Sequence, residues 1–220
     1  MSKAGIVNEP EFRILNLLIK DGDVAIDIGA NIGCYTYAIS CLVGNEGKVI
    51  AVEPVKVNLE KLHYLQTKMR LKNLTIVSKA ISNKVGEMRF AIPKIAGEYK
   101  TTRGYLTMEA ANSEDSIKVP VTTIQELYEM YHLDRVDFIK CDVEGAEKMV
   151  FEGGASIISK HKPTILCEIS VNKYGFEEKN IFLYIKNLAE YDSYYYSNGK
   201  LVQINEYNPD VFNYIFKAKA

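Results

Sequence analysis

The run Val24-Ala25-Ile26-Asp27-Ile28-Gly29-Ala30-Asn31-Ile32-Gly33 constrains the fold more than any other part of the chain. A β-branched apolar stretch passes directly into small, turn-forming residues and then into helix-favouring sequence, which spells a strand, a tight loop and a helix N-terminus. Gly29 and Gly33 have no Cβ, so the main chain there is able to approach a bound molecule closely. Asp27 falls near the C-terminal end of the strand. A second buried-type strand, Lys48-Val49-Ile50-Ala51-Val52, delivers Glu53 and Pro54 roughly 20 to 30 residues after the glycine loop, where a carboxylate is expected to meet a ribose diol. The two strands together point to an adenosyl ligand.

Glycine spacing and charge narrow that ligand. A dinucleotide fingerprint wants Gly-x-Gly-x-x-Gly so that a pyrophosphate rests on helix amides, and here Asn31 stands where the second glycine belongs. Asp27 would repel a phosphate and attract an amino group. S-adenosylmethionine, with an ammonium, a sulfonium and a ribose diol, fits this pattern.

At 220 residues the chain reads as one α/β domain spanning 1–220. Its net charge of -1 and the lack of a basic run argue against a nucleic-acid partner. Cys34, Cys41, Cys141 and Cys167 lie in apolar helix or strand patterns and form no Cys-x-x-Cys pair, which favours buried reduced thiols over disulfides or metal ligands. No apolar h-region precedes the first acidic residues, and Ile14 to Ile19 is too short to cross a bilayer. These features predict a cytoplasmic protein with no membrane association.

Strand and helix patterns alternate as in a mostly parallel sheet covered on both faces. Residues 1–22 carry an N-terminal helix over Phe12 to Lys20. Strands are expected at 24–28, 48–52, 74–77, 136–141 and 164–168, with helices at 34–42, 57–71, 123–131, 145–159 and 177–189 between and after them. Gly153-Gly154 interrupts the fourth of these helices. Extended pieces at 85–90 and 117–121 bracket Pro93 to Ser116, which is polar and aperiodic and reads as a lid or substrate loop, with Tyr99, Arg103 and Tyr105 suited to a hydroxylated acceptor. Asn198-Gly199 predicts a hairpin, and hence an antiparallel edge on the sheet.

A second cluster of chemistry lies in Asp137-Phe-Ile-Lys-Cys-Asp-Val-Glu-Gly-Ala-Glu147, where a buried strand ends in closely spaced carboxylates. Open α/β sheets bind ligands outside the strands' carboxyl ends at the topological switch point, here between the first and fourth strands, so Asp142 should face the cleft. Asp142 and Glu144 are the candidates for orienting a sulfonium, taking a proton from a hydroxyl or helping to hold a divalent cation. Glu147 is read as support for the N-terminus of the following helix. His63, His132 and His161 fall in helix or loop contexts away from strand C-termini and read as surface residues.

These residues resemble a family. Asp27-Ile-Gly-Ala-Asn-Ile-Gly33, the Glu53-Pro54 strand end, Lys79-Ala-Ile-Ser82 with Gly86, Val119-Pro-Val-Thr-Thr123, and above all Phe138-Ile-Lys-Cys-Asp-Val-Glu-Gly-Ala-Glu147 with Phe151-Glu-Gly-Gly-Ala155 and Lys162-Pro163, are similar to the FkbM family of S-adenosylmethionine-dependent methyltransferases. The likeness runs from about residue 23 to residue 168. It implies a Rossmann-like class I methyltransferase fold: a seven-stranded, mostly parallel sheet with one antiparallel edge strand and helices on both faces. It also implies O-methylation of a hydroxyl on a sugar, glycan or natural-product acceptor. Cys141 departs from the family, where an aliphatic residue is commoner. So does the short leader before the first strand, which leaves substrate size open.

Carried over by position, the resemblance sets the Gly29 to Gly33 backbone against the methionine portion of the cofactor, with Asp27 and Asn31 holding its amino and carboxylate groups. Glu53 would accept the ribose hydroxyls, Pro54 and Ala80 would flank the adenine, and Asp142 would lie beside the sulfonium. Aligning the acceptor oxygen with the methyl carbon supplies much of the catalysis in such a transfer. Asp142 and Glu144 remain the candidate bases; no resident metal is expected, although a metal-assisted route stays open. Two other classes also stay open: an adenosyl-binding protein without turnover, and a dinucleotide-dependent oxidoreductase. The acceptor's identity and the oligomeric state are not written in the sequence.

Overall fold

The computed structural model describes residues 13–95, 98–99, 101, 104–107, 116–169 and 177–219. A short helix α1 (Leu15–Leu18) precedes β1 (Val24–Ile28), α2 (Cys34–Val43), β2 (Lys48–Val52), α3 (Lys56–Met69) and β3 (Leu74–Val77). An inserted region follows: β4 (Ala80–Ile81), β5 (Gly86–Ala91), β6 (Lys94–Ile95), β7 (Glu98–Tyr99), β8 (Tyr105–Thr107) and β9 (Ser116–Thr122). The chain then returns through α4 (Ile124–Met130), β10 (Phe138–Cys141), α5 (Glu147–Glu152), α6 (Ala155–His161) and β11 (Thr164–Glu168). It ends with α7 (Glu178–Leu188), β12 (Tyr191–Ser197), β13 (Lys200–Gln203) and β14 (Asn213–Ala218).

The main sheet has eight strands in the order β13-β12-β14-β11-β10-β1-β2-β3. β3, β2, β1, β10 and β11 run parallel, and their near-continuous apolar sequences follow from burial on both faces. One face carries Ala25, Ala51, Phe138 and Leu166 against Leu15, Ile39 and Leu62 of α1, α2 and α3. The other carries Ile26, Ile50, Ile139 and Ile165 against Leu127, Phe151, Ile158 and Phe182 of α4 to α7. The chain winds outward from β1 to β3, then resumes on the other side at β10, so the switch point lies between β1 and β10 as expected.

The fold class is the expected one; two details of the sheet differ. There are eight strands where seven were expected, and the antiparallel strand that joins the parallel set is internal. β14 lies between β11 and β12, antiparallel to both, and β13 forms the antiparallel edge. The Asn198-Gly199 hairpin is present, with Ser197 opposite Lys200 and positive φ at both turn residues (49° and 81°), the conformation that matches strand twist. The sequence signals did not disclose β14 as a strand.

The inserted region also differs from the aperiodic loop expected over residues 93–116. β4, β9, β5 and β8 form a four-stranded sheet in that order, and β6 pairs with β7. The layer packs Phe90, Leu106, Val119 and Val121 against Val55, Ala80, Ala146 and Met149. Arg103 and residues 1–12 lie outside the described residues; of the helix expected over Phe12 to Lys20, the described part is helical at Leu15–Leu18. Cys141 and Cys167 are buried cross-strand neighbours as expected, whereas Cys34 is half-buried and Cys41 exposed; all four are free thiols.

Candidate functional site

The first turn is built by close approach. Gly29 follows β1 with φ +78°, and a Cβ on it would fall 1.9 Å from the main-chain oxygen of Asp142, so only glycine lets the β1 and β10 ends meet. Its amide and that of Ala30 both donate to the Val52 carbonyl, at 3.0 Å each, which ties the turn to the end of β2. Gly33, with φ +94°, serves a different contact: a Cβ there would meet Leu62 and Leu65, so it admits α2 against α3.

A cleft opens at the C-terminal ends of β1, β2 and β10. Seven of the nine residues singled out from the sequence line it: Gly29, Asn31, Glu53, Pro54, Ala80, Asp142 and Glu144. Asp27, which is buried, and Gly33 are not among the lining residues. The remaining wall comes from Phe90, Thr101, Gly104 and Leu106 of the inserted layer and from Val143. Thr101, Gly104 and Leu106 fall in the segment expected as a lid or substrate loop, whereas Phe90 and Val143 carried no local signal of a role in the site.

Glu53 is 4% exposed and held by three donors. Its Oε2 accepts from the Asn31 amide at 2.9 Å, and its Oε1 accepts from the Val55 amide at 2.9 Å and from Asn58 Nδ2 at 3.2 Å. Burial raises its pKa above the usual carboxylate value, and the three donors oppose the rise. Asn58 also meets the inserted region, donating to the Thr101 carbonyl at 3.3 Å while its Oδ1 accepts from Thr101 Oγ1 at 3.1 Å.

Asp27 is fully buried on β1, and its Oδ2 accepts from Thr36 Oγ1 of α2 at 2.5 Å. Burial raises its pKa, while Lys140 and the Thr36 hydroxyl work to lower it. Its Oδ1, like Oδ1 of Asn31 in the left-handed turn, is buried with no partner among the described residues. Two unsatisfied acceptors at one turn suit a ligand that brings hydrogen-bond donors, such as an ammonium.

Asp142 leaves β10 with its amide donating to the Ile28 carbonyl at 3.1 Å and its Oδ2 accepting from Lys140 Nζ at 2.9 Å. Glu144 follows in the left-handed region, φ 55°. Glu147 opens α5 as expected, but it is wholly buried; its Oε1 accepts from the Gly145 amide at 2.9 Å. Lys140 was passed over in the sequence, although a lysine inside the buried run Phe-Ile-Lys-Cys signals an internal partner. Among the described residues no three His, Cys, Asp or Glu side chains are grouped to hold a metal, and no histidine lines the cleft.

A parallel sheet with a glycine turn at its switch point and an acidic residue ending the next strand is the frame of an adenosyl-binding α/β protein. Residues 27–208 match the Methyltransferase FkbM domain, and the chain belongs to that family. The fold agrees with that of a methyltransferase FkbM from Methylobacillus flagellatus KT (TM-score 0.62, 16% identity, 94% of this chain and 50% of that one). The chain thus spans half the length of that relative. It also resembles a Streptococcus mutans protein solved with S-adenosylhomocysteine (0.54, 14%, 96% and 99%) and an S-adenosylmethionine-dependent O-methyltransferase from Thermotoga maritima (0.53, 15%, 100% and 69%). No curated protein matches the sequence. Among the described residues no helix is long and apolar enough to cross a membrane.

Proposed function

We propose that the protein methylates a hydroxyl oxygen on a sugar, glycan or natural-product acceptor as a single cytoplasmic domain. The observation that carries this reading is the convergence on one cleft of the first turn, the Glu53 carboxylate and the strand-end carboxylates Asp142 and Glu144. When bound, S-adenosylmethionine supplies an electrophilic methyl group on a sulfonium. Asp27 and Asn31 offer their unpartnered oxygens to its amino-acid end, and Glu53, pre-oriented by Asn31, Val55 and Asn58, accepts the ribose hydroxyls. Pro54 and Ala80 flank the adenine. Phe90 and Leu106 extend this apolar wall and keep water from it.

Asp142 stands beside the sulfonium and, with Glu144, is placed to receive the hydroxyl proton as the acceptor oxygen attacks. Alignment of the acceptor within the cleft supplies the larger part of the rate. Residues 93–116 act as the cover over the acceptor.

The test is transfer of an isotope-labelled methyl group to a panel of polyhydroxylated acceptors, with the product position read by mass spectrometry. Asp142→Asn is expected to lower turnover about 10²-fold while cofactor affinity stays near wild type. A chelator is expected to leave turnover unchanged. Label appearing on nitrogen or carbon would overturn the O-methylation reading, and near wild-type turnover by Asp142→Asn would remove its role as base.

A further inference from the structure

Lys140 is the one charged residue within β10, and no role in cofactor binding or methyl transfer has been given to it above. It is 6% exposed. It is the register partner of Asp27 on the adjacent parallel strand, so both side chains lie on the face covered by α2. The ammonium sits 4.6 Å from the centroid of the Tyr35 ring on α2 and 2.9 Å from Asp142 Oδ2 at the mouth of the cleft. The side chain of Asp142 is 32% exposed and that of Lys140 7%, so the pair runs from the interior outward to the site.

Around it the same face is apolar: Ala25, Ala51, Phe138 and Leu166. A methionine or leucine would pack there without the desolvation that a buried ammonium costs. Stability alone therefore does not account for the lysine. The charged and titratable groups facing it are Asp27 on β1, Asp142 at the end of β10 and Glu168 at the end of β11; α2 contributes the Tyr35 ring and, through Asp27, the Thr36 hydroxyl. Burial works to lower the lysine's pKa, but the carboxylates of Asp142 and Asp27 outweigh it and hold the ammonium charged.

We propose that Lys140 is a positioning residue of the methyl-transfer site, whose internal ammonium lies between the carboxylates of Asp27 and Asp142 and aims the Asp142 carboxylate into the cleft. One cation thus serves both carboxylates that flank the switch point. It sets the negative charge that the cofactor's ammonium and sulfonium meet, without touching the cofactor. The inference rests on the reading of Asp27 and Asp142 as cofactor-holding groups.

The experiment is calorimetric titration of S-adenosylhomocysteine into the wild type, Lys140→Met and Lys140→Arg from about pH 6 to about pH 8.5, where ordinary carboxylates are already ionised. Wild type and Lys140→Arg are expected to give affinities that barely change over this range. Lys140→Met is expected to bind about tenfold more weakly at the acid end and to recover as the pH rises, because Asp27, deprived of the cation that lowers its pKa, takes up a proton at higher pH. Should Lys140→Met fail to fold, Lys140→Gln, which is neutral and of similar length, is titrated in its place, and the same pH dependence is expected. A Lys140→Met profile parallel to wild type, at any affinity or melting temperature, would reduce the lysine to packing. Wild type that does not bind the ligand would overturn the cofactor site itself, and with it this assignment.

Discussion

Burial sets the behaviour of Glu147 more than its place at a helix start does. The carboxyl is closed off from water, one oxygen takes the Gly145 amide, and the other has no partner among the described residues. Burial, opposed by the Gly145 amide, pushes its pKa up to about 8. A carboxyl whose pKa is raised in the folded state favours folding below its unfolded value, and that contribution is lost as pH rises through the folded value. Stability should therefore fall between about pH 5 and about pH 8, by on the order of 2 to 4 kcal/mol from this residue. Glu147→Gln, which imitates the protonated acid, is expected to flatten that decline in thermal melts. An equal slope in both proteins would show that Glu147 is not the group responsible.

At the scale of elements, α3 joins the ribose-facing carboxylate to the inserted layer. Asn58 on its first turn donates to Glu53 and to the Thr101 carbonyl, and its amide oxygen accepts from the Thr101 hydroxyl. Asn58→Ala removes both links, and at about 1 kcal/mol per neutral hydrogen bond, more to a carboxylate, cofactor affinity is expected to drop roughly tenfold. Cleavage by limited proteolysis within residues 93–116 should become faster, and bound S-adenosylhomocysteine should protect less than in the wild type. Unchanged affinity and unchanged cleavage would separate the cover from the cofactor site. This coupling was not legible in the sequence. Asn58 carries a helix pattern and Thr101 a loop pattern, and 43 residues separate them. What was legible is what one strand or one turn encodes: β1, β2, β10 and β11 from their apolar runs, the first turn from its glycines, and the carboxylates that end two strands. β5 and β9 were legible as extended pieces, whereas β4, β6, β7, β8 and β14 stayed hidden because short strands paired with distant partners leave only weak periodicity in their own residues.

For the whole molecule, the charge around the cleft decides which nucleotide it takes. Glu53, Asp142 and Glu144 line it, with Asp27 beneath, and none of the described lining residues is a lysine, arginine or histidine. That balance opposes a pyrophosphate and suits a cation. S-adenosylhomocysteine at about one hundred times its Kd is expected to stabilise the fold by about 2.7 kcal/mol, a rise in Tm of several degrees, while NAD at the same concentration leaves Tm unchanged. A shift with NAD alone would return the protein to the oxidoreductases. The place of β14 bears on how the molecule is made. Residues 213–218 lie between β11 and β12 and supply the buried Tyr214, Ile215 and Phe216. While the ribosome is still adding those residues, β11 has an unpaired edge and the β12–β13 hairpin has no sheet to join. The nascent protein thus carries an open, sticky flank until β14 is released, and slowing translation just before it should increase the demand for chaperones.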